Sequence, residues 1–170
     1  MPTPERQSIQ WLSESLSRED PSFARRNIVF AETTIAVLNV ARNIVIPSRT
    51  SDTGINSVKV MLALTEDRSP KTIEAFATLH IEQEEFQSAL LNASALMPNR
   101  EINSRTILLA ADEATKRSVK EKTTRAKITT IDLLIGFFRD DNELAEKILE
   151  SFGMDWWEGL SGLRALSRKK

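Results

Sequence analysis

Cysteine is absent from this chain of 170 residues, which also contains one histidine and five glycines. Without cysteine there can be no disulfide, no thiolate metal site and no cysteine nucleophile. None of the five glycines precedes a lysine, so the Gly-x-x-x-x-Gly-Lys-Ser/Thr loop that cradles nucleotide phosphates is missing. The sequence therefore contains no nucleotide-dependent motor of that kind.

The chain also lacks an excess of one charge and a long apolar run. It has 23 basic and 24 acidic residues, so a net charge of −1 provides no general attraction to nucleic acid or to a membrane. No apolar run approaches the roughly 18 residues that a membrane span needs. The first residues lack the apolar core of a secretion signal. We expect a cytoplasmic protein with no membrane partner.

Helical periodicity runs through almost every segment and predicts an all-α protein. An N-terminal extension, residues 1–21, contains a short amphipathic helix over 5–17, which could dock on the domain or wait for a partner. The domain follows over residues 22–163 and begins with a long helix that includes Ile28 and ends before Pro47. A basic tail, residues 164–170, is expected to fray.

The second half of the domain repeats the first at a fixed interval. Residues 55–64 align without gaps on residues 128–137, which lie 73 positions further along the chain. Apolar residues fall on apolar residues, although few positions are identical. A repeat of this length indicates that the folding unit is half of the domain, present twice.

Each half, about residues 22–96 and 99–163, contains four predicted helices. We therefore predict an eight-helix domain in which two four-helix repeats pack about a pseudo-twofold axis, since a half of this size buries little core alone. Ser57 and Thr130 are predicted N-caps of matching helices, because a hydroxyl there accepts a hydrogen bond from a free amide of the first turn.

Two elements of the second half carry a family resemblance. Residues 128–140 read Ile-Thr-Thr-Ile-Asp-Leu-Leu-Ile-Gly-Phe-Phe-Arg-Asp, and residues 144–155 read Leu-Ala-Glu-Lys-Ile-Leu-Glu-Ser-Phe-Gly-Met-Asp. They resemble the N-terminal domain family of the Clp unfoldases, the double Clp-N repeat. There a hydroxyl N-cap precedes Glu-His-Leu-Leu-Leu-Ala-Leu-Leu, and an alanine-rich helix ends in Leu-Gly-hydrophobic-Asp. The first half matches more weakly, over residues 57–64 and 75–81.

The chain departs from the family pattern at one pair of residues in each half. The family's Glu-His pair would fall at Val58-Lys59 and at Ile131-Asp132, so both glutamates are missing. In some relatives those glutamates help to bind phosphorylated arginine on marked substrates. The resemblance therefore does not imply that ligand for this chain.

The resemblance implies a protein-interaction module without enzymatic activity, cofactor or metal. Because no motor motif is present, the implied role is an accessory or adaptor subunit of a Clp protease or unfoldase system. Its protein partners would be the protease core, the unfoldase or delivered substrates. The alternative is the excised N-terminal, substrate- or adaptor-binding domain of a larger Clp-type AAA+ unfoldase. A small helical enzyme built around His80 is a third, least favoured hypothesis.

Other residues that could carry chemistry have ordinary structural explanations. His80 falls opposite Gly153 in the repeat, at a helix end, where Gly153 suits a left-handed C′ position. A charged imidazole there would complement the helix dipole. Asp140, Asp141 and Glu143 form the densest acidic cluster, but they lie at a helix start and lack the arranged loop that calcium needs.

Charge is distributed unevenly along the second half. Residues 105–127 contain seven basic and three acidic residues, whereas residues 128–158 contain eight acidic and two basic residues. A solvated face and loop is the ordinary interpretation of the basic stretch, and a surface for an acidic partner is the functional one. Nucleic acid is disfavoured, because no aromatic residues are interleaved. The candidate residues are Lys116, Arg117, Lys120, Lys122, Arg125 and Lys127.

Trp157 is a further candidate for contact with a partner. Trp156 and Trp157 are adjacent on a predicted helix and therefore point about 100° apart, so only one of them is expected in the core. An exposed tryptophan is a common energetic centre of a protein interface. Packing against the extension or the tail is the alternative.

Overall fold

The fold is mostly helical, which confirms the predicted all-α class. The computed structural model describes residues 10–23, 27–44, 55–96 and 105–169. The helices in chain order are α1 Gln10–Glu19, α2 Glu32–Asn43, α3 Ser57–Glu66, α4 Pro70–Leu79, α5 Gln83–Ala95, α6 Arg105–Glu121, α7 Thr130–Asp140, α8 Asn142–Ser151 and α9 Trp156–Ser167. Two short strands are β1 Ile28–Phe30 and β2 Ala126–Ile128. No described helix is both long and apolar enough to cross a membrane.

The two strands form a parallel pair that joins the halves of the chain. The register places Ile28 beside Ala126 and Phe30 beside Ile128. The prediction of a long helix that includes Ile28 is therefore wrong, because α2 begins only at Glu32. Local periodicity cannot reveal a strand partner so remote in sequence, even though isoleucine and phenylalanine favour strands.

The helices of the second half begin at the interval that the sequence repeat predicts. The starts of α6, α7, α8 and α9 follow those of α2, α3, α4 and α5 by 73, 73, 72 and 73 residues. Contacts between the halves are also reciprocal, because α9 packs against α4 and α5 packs against α8. Such reciprocity is typical of a self-complementary interface. A twofold rotation between the halves stays a prediction.

Two central helices, α3 and α7, are buried along most of their length and contact each other. Residues 57–65 of α3 and residues 130–138 of α7 are all buried. A helix that is buried all round needs neighbours on every side. These neighbours include α2 and α5 around α3, and α4, α6, α8 and α9 around α7. The helices of both halves thus cover one shared core.

The caps of the two central helices lie one residue earlier than predicted. The Asn56 side chain accepts a hydrogen bond from Lys59 N at 2.9 Å. The Thr129 hydroxyl accepts one from Asp132 N at 3.3 Å. Ser57 and Thr130 are the first residues of the helices, so the prediction that they are N-caps is wrong.

The two hydroxyls that were expected to cap instead connect the halves. Ser57 Oγ donates to Asp141 Oδ2 at 2.9 Å, across the interface. Thr130 Oγ1 lies 2.8 Å from Thr72 Oγ1, again between opposite halves. Buried hydroxyls need such partners, because an unsatisfied polar group in a core is costly.

Equivalent side chains close the C-terminal ends of the central helices. Gln83 Nε2 of α5 donates to Asp67 O at 2.7 Å and to Leu64 O at 3.1 Å. Trp156 Nε1 of α9 donates to Phe138 O at 3.1 Å. Gln83 and Trp156 are 73 positions apart, so different donors satisfy the unpaired carbonyls at the same place in each half.

The N-terminal helix α1 docks on the domain, which the sequence left open. Leu12 and Leu16 of α1 are fully buried. The guanidinium carbon of Arg42 on α2 lies 4.6 Å from the centre of the Trp11 ring, which is a cation–π contact. The start of the predicted helix, with Ile9, lies outside the described residues.

Close contact between α6 and α7 requires a glycine in the middle of α7. A Cβ atom at Gly136 would lie 2.3 Å from Thr106 O and 3.1 Å from Ala110 N, both in the backbone of α6. Backbone atoms of a packed helix cannot swing aside as a side chain can. Any side chain at position 136 therefore forces the helices apart.

We predict that Gly136→Ala lowers the free energy of unfolding by about 2–3 kcal/mol, since overpacking strains a filled core. Gly162→Ala is the matched control, because its Cβ would meet only the Thr78 methyl group at 3.2 Å. Alanine also favours a helix, so the control should change stability by less than about 1 kcal/mol. Urea denaturation measures both variants, and equal losses would contradict the proposed close approach.

Candidate functional site

The six predicted basic residues do not form one continuous surface. Lys116, Arg117 and Lys120 lie on α6 and line a cleft between α6 and α9. The others follow α6 in the chain and are exposed: Lys122, Arg125 and Lys127. Of these three, Lys127 lines a second groove with residues of α4. The structure thus separates the basic stretch into different environments.

Arg117 is held in a buried ion pair with Asp132 at the start of α7. Its Nη1 and Nη2 atoms donate to the two carboxylate oxygens at 2.5 and 2.8 Å, and Nη2 also donates to Lys127 O at 2.8 Å. The side chain of Asp132 is 0% exposed and that of Arg117 is 13% exposed. The hydrogen bond to Asp132 raises the pKa of Arg117. Arg117 has little surface left for a partner.

Asp132 also belongs to the cap of α7. Its Oδ2 atom accepts a hydrogen bond from Thr129 N at 2.9 Å, while the Thr129 hydroxyl accepts from Asp132 N, which together form a capping box. Lys59 is the equivalent residue of α3 and is also fully buried. The two halves therefore carry opposite charges at the position where the family resemblance expects histidine.

Glu113 connects three helices near the middle of α6. Its Oε1 atom accepts hydrogen bonds from Arg139 of α7 at 3.1 Å and from Arg164 of α9 at 2.8 Å. The side chain of Glu113 is 10% exposed, so these contacts are largely shielded from water. A carboxylate with two arginine partners in this setting fixes α9 beside α6.

Asp112 extends this network toward the solvent. Arg139 Nη1 donates to its carboxylate at 2.8 Å, and Lys116 Nζ lies 3.1 Å from it. Burial raises the pKa of Asp112, but the hydrogen bonds and charges of Arg139 and Lys116 outweigh burial and lower it. A lowered pKa means that this carboxylate stabilises the fold at neutral pH. That contribution is lost as the pH falls through the pKa of the folded state.

A cationic cleft of about 310 Å³ lies between α6 and α9. Five basic residues, one acidic residue and a serine line it: Lys116, Arg117, Lys120, Arg164, Arg168, Glu113 and Ser167. Three of the cations are paired with the acids already described. Within the described part of the chain, Lys120 and Arg168 form no ion pair, and both are exposed. These two residues give the cleft its available positive charge.

The prediction of a fraying tail over residues 164–170 is wrong for Arg164 and Arg168, and for that reason neither was a candidate site residue. Helix α9 in fact continues to Ser167, and Arg168 is its C-cap. Helical spacing of apolar residues continues to Leu166, which packs against the core, and this signal could have extended the predicted helix. Only the tertiary fold brings the two arginines to the same cleft as Lys120.

Trp157 lies on α9 and is 62% exposed, whereas Trp156 is half-buried, as expected for adjacent residues. The two rings meet edge to face, with centres 4.9 Å apart. Arg164 and Arg168 follow Trp157 by about two and about three helical turns, so the three side chains share one face of α9. An exposed aromatic ring thus lies on the cleft side of this helix.

The acidic cluster has internal partners. Asp140 Oδ2 accepts a hydrogen bond from Thr106 Oγ1 at 2.7 Å, and Asp141 accepts the bond from Ser57 that joins the halves. Glu143 is exposed in the first turn of α8. Within the described residues, no group of three or more histidine, aspartate or glutamate side chains is placed to hold a metal ion.

His80 ends α4 in a left-handed conformation with φ of 56°, and its equivalent Gly153 ends α8 with φ of 73°. His80 N donates to Ala77 O at 3.1 Å, and Ile81 N donates to Phe76 O at 3.3 Å. These two bonds are those of a Schellman motif, in which glycine is usual at this position. The His80 side chain is exposed, and the role of the residue in the helix end comes from its backbone conformation.

Comparison with known proteins gives no match. No protein-family model matches the chain, and no curated protein matches its sequence. The resemblance to the Clp N-terminal domains therefore depends on the motif residues 128–140 and 144–155.

We predict that Asp132→Asn lowers the free energy of unfolding by about 3 kcal/mol, because it leaves the Arg117 charge partly buried without a counter-charge. The control is Asp155→Asn at the exposed cap of α9, which should cost less than about 1 kcal/mol. Adding Arg117→Met to Asp132→Asn should recover part of the loss. Strict additivity of the two substitutions in urea denaturation would contradict the buried pair.

We predict that His80→Gly raises the midpoint of thermal unfolding, because glycine adopts the left-handed region without the steric cost of a Cβ atom. That cost is about 1 kcal/mol, partly offset by the greater entropy of glycine in the unfolded chain. His80→Ala is the control and should give no such rise, since alanine keeps the Cβ. Equal effects of glycine and alanine would contradict backbone strain at this position.

Proposed function

We propose that this chain is a non-enzymatic protein-interaction module that acts as an accessory or adaptor subunit of a Clp protease or unfoldase system. Its partners would be the protease core, the unfoldase or the substrates delivered to it. Binding alone, with no bond made or broken, would be the mechanism.

One observation carries this proposal: the helices α6 to α9 begin about 73 residues after the helices α2 to α5, in the same order. The second copy contains the motif segments that resemble the Clp N-terminal repeat, and they fall on α7 and α8. Reciprocal packing of α9 on α4 and of α5 on α8 supports a tandem repeat rather than an arbitrary helical bundle.

The distribution of polar groups supports binding over catalysis. His80 is at a helix end, and the acidic residues Asp132, Asp140 and Asp141 accept hydrogen bonds from neighbours in the fold. Trp157, Lys120 and Arg168, by contrast, are exposed. An exposed tryptophan together with exposed cations is the composition of an interface core and rim.

Affinity capture from a lysate of the source cells tests this proposal. We expect tagged full-length chain to enrich Clp protease or unfoldase subunits, identified by mass spectrometry and then reconstituted from purified components. An unrelated helical protein of similar size and charge, with the same tag, is the control. Reproducible absence of Clp subunits, in both capture and reconstitution, would reject the proposed role.

A further inference from the structure

One face of α9 carries an exposed aromatic ring and an exposed cation, and a second exposed cation lies across the cleft on α6. Trp157 is 62% exposed near the start of the helix. Arg168 at its end and Lys120 across the cleft form no ion pair within the described residues and are exposed. Lysine and arginine at helix ends complement the helix dipole, which accounts for each cation alone. The dipole does not account for their convergence on one cleft from two helices.

The spacing along α9 sets the dimensions of a ligand that could reach both features. Arg164 and Arg168 lie about 10 and 16 Å from Trp157 along the helix axis, at about 1.5 Å per residue. An extended peptide advances about 3.3 Å per residue, so about three to five residues cover this distance. A short peptide segment can therefore contact the ring and the cleft at once.

We infer that the cleft between α6 and α9 binds an acidic segment of a protein partner. A large apolar side chain of that segment packs on Trp157, and carboxylates three to five residues away pair with Lys120 and Arg168. The other cleft cations stay paired with their acids and shape the walls of the cleft.

Charge around the tryptophan favours a peptide over nucleic acid. Asp155 and Glu158 flank Trp157 in the chain and are exposed. If a nucleic acid stacked a base on Trp157, its phosphates would lie near both carboxylates and be repelled by them. A peptide places its acids only at the cationic end of the face and a neutral side chain at the acidic end.

This inference deepens the proposed function, because it takes the chain to be a binding module. It does not depend on the identity of the Clp system, since it rests only on the charges of α6 and α9 and on the ring of Trp157. Short acidic segments are the class of partner that it names.

Fluorescence anisotropy with a labelled peptide tests the inference on the full chain. The probe is Gly-Phe-Ser-Gly-Glu-Glu-Glu-Gly, in which glutamates follow the apolar residue by three to five positions. Replacing the glutamates with glutamines should raise the Kd at least about tenfold at low salt, and replacing phenylalanine with serine should raise it about fivefold. Added sodium chloride should weaken binding, because exposed charges are screened.

Matched variants of the protein locate the binding. Lys120→Glu and Arg168→Glu should each raise the Kd about tenfold, and Trp157→Ala about fivefold. Lys147→Glu, an equal charge change at an exposed position of α8, should leave it within about twofold. Circular dichroism and the thermal midpoint should match the wild type for all four.

Three outcomes would overturn the inference. These are no binding of the peptide at millimolar concentration, equal effects of Lys120→Glu and Lys147→Glu, or tighter binding of a 12-nucleotide single strand through the same residues. Peptide binding without capture of Clp subunits would refute the proposed function and leave the cleft assignment standing. Capture of Clp subunits that survives Lys120→Glu and Arg168→Glu, without peptide binding, would do the reverse.

Discussion

Mutual burial of the central helices α3 and α7 is the constraint on which the rest of the structure depends. Residues 57–65 and 130–138 have no solvent-facing side, so helices of both halves must cover them. That requirement explains why α9 of the second half packs on α4 of the first and why α5 packs on α8. Gly136 permits the close contact of α6 with α7, and Ser57 and Thr130 connect the halves by hydrogen bonds.

At several equivalent positions of the two halves, different side chains make the same kind of contact. Gln83 and Trp156 both donate to carbonyls at the end of a central helix. The left-handed helix ends are formed by His80 in the first half and by Gly153 in the second. The first turns of α3 and α7 likewise differ, with Lys59 in one and Asp132 in the other. Where a position needs only a donor or a permitted backbone angle, several residue types satisfy it. One such difference adds a contact: Asp132 pairs with Arg117 and so joins α6 to α7 in the second half.

The candidate site was predictable only in part, for physical reasons that differ among its residues. Helix geometry predicts that one of Trp156 and Trp157 is exposed, since both cannot face the core, and the packing of α9 decides that it is Trp157. The basic stretch does not show that Lys120 is unpaired whereas Arg117 is paired. The counter-ion of Arg117 is Asp132, and only the packing of α6 on α7 brings the two together. Arg168 enters the cleft through the position of α9, which no local pattern specifies.

Periodicity in the sequence was sufficient for the helical class and for most of the helices, because a helix depends on neighbours within a few turns. The interval of 73 residues was found by comparing the two halves of the sequence. Tertiary structure alone decided the pairing of β1 with β2, the docking of α1 and the shape of the cleft between α6 and α9. Each of these joins segments remote in sequence. Their contact energy depends on which surfaces meet after folding, and the periodicity of one segment does not specify its partner.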